Sequence, residues 1–474
     1  MAETDLDDGT VSAQPTKRFF VSMLTRDIAL EDAILDLLDN CIDGVVRSVN
    51  PDSTIAQPYK GYHAHITMNP KEFVIEDNCG GIGKDTLSKA FRMGRLESTN
   101  TGPATVGMYG IGMKRAIFKL GTSSVVASRT ADFGFSVTIT PKWMDDPDDW
   151  RLPVTDLPAT DPLTAGTRIK VDALRSDIAA RFDESNDNFI EHFKSSLGSH
   201  FAIIIGKGFE VTINGATVDP TQFTLLAEED VAEDPKSKTP QLKPYVFKGD
   251  LDGVSVEIYA GLYRQLPTEQ EIEQEEEVRA SRDNAGWTVV CNDRVVVFND
   301  KTRLTGWGEA GVPAFHGQFM SFGGVVILRS NDLWKLPLTT TKRGLDASSN
   351  LFSILKDYMR EATKSFTSFT NKWKRNPEER TALYRSATPL NITQLRAVTA
   401  SYPMSVTRKT ENSAKFVPNL PVPRPQQSVV RISYTRDKAQ FQKVALHLFD
   451  DDTISPREVG EASFDTVLKQ AMAS

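Results

Sequence analysis

Two rhythms of apolar and polar residues run along this chain. Between positions 30 and 46, Leu30, Ile34, Leu37, Leu38, Cys41, Ile42 and Val45 recur at helical spacing and predict an amphipathic helix. Asp36, Asn40 and Asp43 fall at i, i+4 and i+7 within it and so share one face. Period-two alternation takes over at 63–68 and 73–76, which predicts an antiparallel strand pair joined across Asn69-Pro70. Helix is expected again at 85–91 and 112–120, and strands at 123–129, 134–140 and 167–171. The stretch 95–106, polar and rich in Gly, Ser and Thr, reads as a candidate lid. These elements sum to an α+β fold, a two-layer α/β sandwich with a mixed sheet and helices on one side. The residues before Ala29, including Phe19, Phe20 and Met23, suit a buried or exchanged arm and equally a plain first strand.

A second unit follows. Its pattern predicts a helix at 189–197 and strands at 201–205, 210–213, 254–262, 287–292, 294–297 and 325–329. An acidic stretch at 265–277 reads as a solvated loop or short helix, and 351–374 as a long amphipathic helix. Residues 403–427, rich in Pro, Ser and Asn, read as linker. A small α/β module closes the chain, with a strand at 429–434 and helices at 437–448 and 456–470. The expected organisation is an acidic flexible tail (1–15), a first domain (16–185), a second α/β domain (186–375), a linker (376–427) and the small C-terminal module (428–474).

A length of 474 residues allows two or three domains with real cores. The three cysteines, Cys41, Cys79 and Cys291, are too scattered for a disulfide framework or a metal spacing, which fits a reducing, cytoplasmic setting. The N-terminus is acidic where a signal peptide is basic and then apolar, and no run reaches the length of a membrane span. A net charge of −8 argues against a protein that coats nucleic acid throughout, while leaving room for a local DNA-binding face.

Three separated motifs carry the chemistry. The first is Asp36-Leu-Leu-Asp39-Asn40-Cys-Ile-Asp43-Gly44. An amide oxygen on Asn40 suits Mg²⁺, a hard cation that takes oxygen ligands, and Asp36, one turn earlier, is placed to hold or deprotonate a water. The plain alternative is a solvated polar face. The second is Asp77-Asn78-Cys79-Gly80-Gly81-Ile82-Gly83, directly after a strand. A carboxylate there, with glycines allowing close backbone approach, can accept a hydrogen bond from an exocyclic amine; a tight glycine turn is the plain alternative. The third is Gly107-Met-Tyr109-Gly110-Ile111-Gly112-Met113-Lys114, glycines preceding a helix, an anion cradle with a lysine that suits phosphate or plain solvent. It matches neither the P-loop nor the dinucleotide fingerprint.

With Gly166-Thr167-Arg-Ile169 following, the ordered motifs resemble the Bergerat ATP-binding fold of the GHKL superfamily: DNA gyrase B, Hsp90, histidine kinases, MutL and MORC ATPases. The resemblance covers residues 20–175. It implies that Asn40 binds Mg²⁺, that Asp77 reads adenine with Thr167 supporting it through a water, and that Gly107, Gly110 and Gly112 form the phosphate loop. The implied nucleotide contacts are Asn40, Asp43, Asp77, Gly81, Gly83, Met93, Gly107, Tyr109, Gly110, Ile111, Gly112, Met113, Lys114 and Thr167. The family's ATPases carry a glutamate four positions before the metal asparagine. Here that position is Asp36, one methylene shorter, which implies slow hydrolysis. Lys342, with Arg343 second, resembles the lysine that reaches the γ-phosphate from a transducer domain, which assigns 186–375 that character. The style of the motifs is nearest to MORC and MutL proteins.

The resulting expectation is a Mg²⁺-dependent ATPase with Asp36 and Lys342 in catalytic roles. It is expected to form a homodimer on ATP binding and to act as a clamp, with double-stranded DNA as a candidate client in DNA transactions or antiviral defence, and with a candidate protein partner for the C-terminal module. Basic residues Lys372, Lys374 and Arg375 favour DNA; the net charge speaks against it. An Hsp90-like chaperone and a non-hydrolysing ATP-gated scaffold are the rival classes.

Overall fold

Helix α1 (Lys17–Arg26) opens with Thr16, whose hydroxyl accepts from the Phe19 N–H, so the residues weighed as an arm or a strand are helical. Its Lys17 is buried and donates to the carbonyls of Trp143 and Asp149 at 2.6 Å each, with the ammonium 3.9 Å from the centroid of the Trp143 ring. The apolar stripe at 30–46 becomes helix α2 (Leu30–Val49), and Ile34, Leu38, Ile42 and Val45 lie in the first core. Each such buried aliphatic side chain stabilises the fold by about 1.5–3 kcal/mol. The computed structural model describes residues 16–49, 57–92, 111–147, 149–185, 187–228, 241–273, 284–339, 344–374, 380–407, 410, 412–423 and 432–473.

The strands expected around Asn69-Pro70 form the hairpin β1 (His63–Asn69) and β2 (Glu72–Asp77). After α3 (Lys84–Phe91) and α4 (Gly112–Leu120) come β3 (Ser124–Arg129), β4 (Gly134–Ile139), α5 (Pro141–Asp145), β5 (Val154–Asp156) and β6 (Gly166–Val171). Helices α6 (Ser176–Arg181), α7 (Phe189–His200) and α8 (Ala202–Gly206) lead to β7 (Glu210–Ile213) and β8 (Ala216–Thr217). Together the strands make a mixed eight-stranded sheet in the order β5-β4-β3-β6-β2-β1-β7-β8, with β7 parallel to β1. The first sheet therefore runs on into residues 210–217. A strand expected at 201–205 is instead helix α8. A short apolar run does not distinguish strand from buried helix, and here the chain continues helically from Phe201, with the Ile205 N–H donating to the Phe201 carbonyl.

The second sheet is built from β10 (Tyr245–Leu251), β11 (Val254–Leu262), β12 (Gly286–Cys291), β13 (Arg294–Asp300), β14 (Phe322–Arg329), β16 (Ser405–Val406) and β17 (Ser413–Phe416), in the order β13-β12-β14-β11-β10-β17-β16. A small separate pair, β9 (Thr224–Ala227) with β15 (Thr388–Asn391), packs on it through Leu225, Ala227 and Leu390. The described part of the acidic stretch, up to residue 273, carries the short helix α9 (Glu269–Glu273). Helix α10 (Asn350–Trp373) buries Phe352, Leu355, Met359, Ala362, Phe366, Phe369 and Trp373, a 3.5-residue repeat that covers the second core. Residues 388–416, expected within the linker, carry β15, α11 (Ile392–Thr399), β16 and β17. Composition misled there because β17 pairs with β10 through Val246↔Phe416 to Gly249↔Ser413, a long-range pairing that local signals do not carry.

The two sheets belong to one compact unit, residues 1–423. The β12–β13 turn ties them together. Asn292 and Asp293 both take positive φ, +46° and +67°, the backbone of a two-residue hairpin turn. At its tip Asp293 accepts from Lys207 at 2.5 Å, Arg329 at 2.6 Å and Tyr59 at 3.3 Å. The next residue, Arg294, is 1 % exposed, donates to Asp39 of α2 at 2.9 Å and to the His200 carbonyl at 2.9 Å, and lies 4.0 Å from the Phe201 ring centroid.

The other unit, residues 424–474, pairs α12 (Lys438–Phe449) with α13 (Pro456–Ala473). Of its expected strand at 429–434, residues 432–434 carry no strand and the rest lie outside the described residues. Among the described residues no helix is long and apolar enough to cross a membrane.

Candidate functional site

Strand register assembles the site. Along β2, Phe73, Ile75 and Asp77 are buried in phase, so alternation aims Asp77 to the same inner face as the two apolar residues. Across the sheet, Ile66, Ile75, Ile169 and Val126 stand in one row, all apolar. One step along, the row is Ala64, Asp77, Thr167 and Ser128. The inner face thus gathers three polar side chains at this end, against a single buried serine, Ser124, in the row at the other. Ser128 bonds the Thr167 hydroxyl at 3.0 Å, donates to the Gly166 carbonyl at 3.0 Å and accepts the Ile82 N–H at 2.8 Å. Ser128 was missed by motif reading; counting register from Asp77 through Thr167 finds it.

Two glycines let the pieces meet. A Cβ at Gly166 would sit 1.8 Å from the Asp77 carbonyl oxygen, and one at Gly44 would sit 2.6 Å from the Cys79 carbonyl oxygen. Helix α2 therefore lies directly on the turn that follows Asp77. Asp77 is 9 % exposed and accepts the Cys79 N–H at 2.8 Å. Burial pushes its carboxyl above the ordinary value, against the opposing pull of hydrogen bonds from the Cys79 N–H, the Cys41 thiol and the Thr167 backbone. The same burial, and the nearby Asp77 charge, push the Cys41 thiol up. Gly81 and Gly83 lie in the turn after Asp77, and Gly83 stands at the N-cap of α3.

On α2, every residue from Ala33 to Val46 is buried except Asn40. Asp36, Asp39 and Asp43 are 4 %, 1 % and 3 % exposed. The expected polar stripe is therefore a buried acidic set with one opening, at the amide. Asp36 is ion-paired with Arg115 of α4, guanidinium to Oδ2 at 2.5 Å. Gly112, at the start of α4, lies against the same carboxyl: a Cβ there would be 3.3 Å from its Cβ, Cγ and Oδ2. Ile111 is the N-cap of α4, and Met113 packs on the first core. Lys114 is buried and donates to the Ala90 carbonyl at 2.8 Å. A cavity of about 160 Å³ lies on that side of α4, mainly aromatic and aliphatic in lining (Phe91, Ile117, Trp143, Trp150) with Arg92 and Lys114 at its wall and no carboxylate. The polar row and Asn40 are the better candidate site because they combine a buried carboxylate, two hydroxyls and an exposed amide, with α2 laid on the turn after Asp77. Met93, Gly107, Tyr109, Gly110, Lys342, Arg343 and the lid expected at 95–106 lie outside the described residues.

Among the described residues no group of three or more His, Cys, Asp or Glu is placed to hold a metal ion. A Mg²⁺ that arrives with a polyphosphate takes most of its ligands from phosphate and water and needs only one or two protein oxygens. The exposed amide of Asn40, beside the buried carboxylates, fits that donor set.

Residues 28–168 match the family described as a histidine kinase-, DNA gyrase B-, and HSP90-like ATPase. This segment is a GHKL-type ATPase domain, and its sheet, α2 and α4 are the frame just described. No curated protein matches the chain.

Proposed function

We propose that this protein is a slow Mg²⁺-dependent ATPase that works as a nucleotide-gated switch, two copies closing into a clamp with duplex DNA as client. The observation that carries the nucleotide site is the polar row at one end of a largely apolar sheet face, with Asp77 held buried under α2. A carboxylate kept dry with no cationic partner in contact among the described residues is costly, and such a group is retained where a ligand uses it. Asp77 accepts from the adenine amine, with Thr167 and Ser128 beside it. Asn40 holds the Mg²⁺, which neutralises phosphate charge when bound. Asp36 orients the attacking water, and Lys342 keeps its proposed γ-phosphate role on sequence grounds alone.

Support for switching is the Arg294–Asp39 pair, which ties the helix carrying Asn40 to the second sheet. Support for a nucleic-acid client is an open groove of about 840 Å³ along α10, lined by Lys364, Ser368, Asn371 and Lys372, side chains of the kind that hold phosphate backbones. A second reading, an ATP-gated scaffold without turnover, draws on the ion pair that engages Asp36.

Phosphate release with Mg²⁺-ATP, with and without duplex DNA, beside Asp36→Ala and Asp77→Asn, tests these readings. Turnover lost in both variants and stimulated by DNA is the expected result. Wild-type ATP binding without any phosphate release transfers the case to the scaffold.

A further inference from the structure

The sequence points to Lys114 as the cation that meets phosphate, but the fold turns Lys114 to the Ala90 carbonyl and buries it to 3 % exposure. The cation in contact with Asp36 is its neighbour, Arg115. One arm of the guanidinium is bonded to Asp36 Oδ2 at 2.5 Å, and the Arg115 side chain is 12 % exposed against 5 % for Asp36. The Arg115 Nε is buried and has no hydrogen-bond partner among the described residues. A buried guanidinium N–H without an acceptor is costly, and the group is built to bind two oxygens at once. Arg115 is therefore only partly satisfied by Asp36. It stands in the first turn of α4, whose N-terminal N–H groups and dipole favour an anion at that end.

We propose that Arg115 is a latch on Asp36, opened by the terminal phosphoryl group of a nucleoside triphosphate. The inference rests on the reading of this site as an ATP site. Without nucleotide, Arg115 holds the Asp36 carboxylate in an ion pair and keeps it from serving as a base. A triphosphate offers Arg115 more oxygens and more charge than one carboxylate, so the guanidinium moves to the γ-phosphoryl oxygens and Asp36 is released. Asp36 then accepts a proton from water as the water oxygen bonds to the γ-phosphorus and the bond from that phosphorus to the β,γ-bridging oxygen breaks. The products are the nucleoside diphosphate and phosphate, with the proton passing from Asp36 to solvent. A diphosphate lacks the displacing group and leaves the latch closed. Arg115 is thereby a specificity residue for triphosphate over diphosphate, and the ion pair keeps the shortened base idle until substrate is complete.

The test is calorimetric binding of ADP and of a non-hydrolysable ATP analogue to the full chain, for wild type, Arg115→Met, Arg115→Lys, Asp36→Asn and Asp77→Asn. Wild type is expected to prefer the triphosphate. Arg115→Met is expected to weaken triphosphate binding by about tenfold or more, the worth of one charge-assisted contact, while ADP affinity stays within about twofold. Asp36→Asn is expected to bind the triphosphate at least as tightly as wild type, because the latch is already open, and to release no phosphate. Arg115→Lys keeps the charge without the fork; it reads an intermediate preference and serves if Arg115→Met does not fold. A merely structural ion pair predicts that ADP and triphosphate affinities fall together or not at all, and either outcome overturns the latch. Wild type and Asp77→Asn that bind both nucleotides equally well overturn the site assignment itself. A wild type that binds nucleotide through Asp77 but shows no change of preference in the Arg115 variants overturns the latch alone.

Discussion

At the scale of single residues, Asp77 shows a conflict between stability and use. Burial raises its carboxyl above the ordinary range. An acid whose folded value is raised favours folding below that range, and the contribution is lost as pH climbs through the folded value. Above the folded value the ionised group therefore opposes folding. Asp77→Asn is expected to raise the melting temperature of the nucleotide-free protein at pH 7 and to leave it nearly unchanged in strong acid, while weakening adenine-nucleotide binding by about tenfold or more. A melting-temperature series across pH, paired with calorimetry, checks both signs. Gly166 gives a second residue-level expectation. Its Cβ site is 1.8 Å from the Asp77 carbonyl oxygen, so Gly166→Ala forces β6 and β2 apart at the polar row. The expected cost is about 1–3 kcal/mol by denaturant unfolding, with nucleotide affinity falling as well.

At the scale of elements, the β12–β13 hairpin acts as a key set into the first layer. Burial pushes the Asp293 carboxyl up, but Lys207 and Arg329 outweigh it and hold the group below its ordinary value. A depressed carboxylate stabilises the fold above the ordinary range, and that contribution is lost as pH falls through the folded value. Acid should therefore loosen this hairpin tip. Asp293→Asn is expected to cost about 1.5–3 kcal/mol at neutral pH and to flatten the acid limb of the stability profile. Urea midpoints at pH 7 and pH 3 decide the matter: parallel losses at both would leave Asp293 without the assigned role.

For the whole molecule, the link that matters runs from Arg294 to Asp39. Both side chains are nearly inaccessible, at 1 % and 2 %. Removing one partner strands a buried charge, typically about 3–5 kcal/mol, whereas removing both leaves none. Arg294→Met and Asp39→Asn are each expected to destabilise strongly, and the double variant by clearly less than their sum. A double-mutant cycle in urea measures that coupling; additive losses would falsify the tie between the layers. If the tie also carries the nucleotide signal, the single variants lose DNA stimulation of turnover before they lose nucleotide binding.

Much of the candidate site was legible in one dimension. The stripe of α2, the β1–β2 hairpin and the strand-end position of Asp77 follow from short-range periodicity, because side-chain direction in helix and strand is set by local geometry. The ordered motifs placed an ATP-binding domain over about 20–175, and the family match covers 28–168 within it, because its glycines and acids sit where the local backbone demands them. What periodicity cannot carry is which cation meets which acid. Lys114 and Arg115 are adjacent, one residue apart on a helix, and only the packing of α4 on α2 turned Arg115 to Asp36 and Lys114 to Ala90. Ser128 joined the polar row through register between strands, and residues 413–416 joined the second sheet by pairing with a strand more than 160 positions earlier. The chain by itself determined the elements whose periodicity is local, such as α2 and the β1–β2 hairpin, and the chemistry they carry, since those depend on neighbours in sequence. The tertiary structure decided the partners, since burial and cross-strand register depend on neighbours in space.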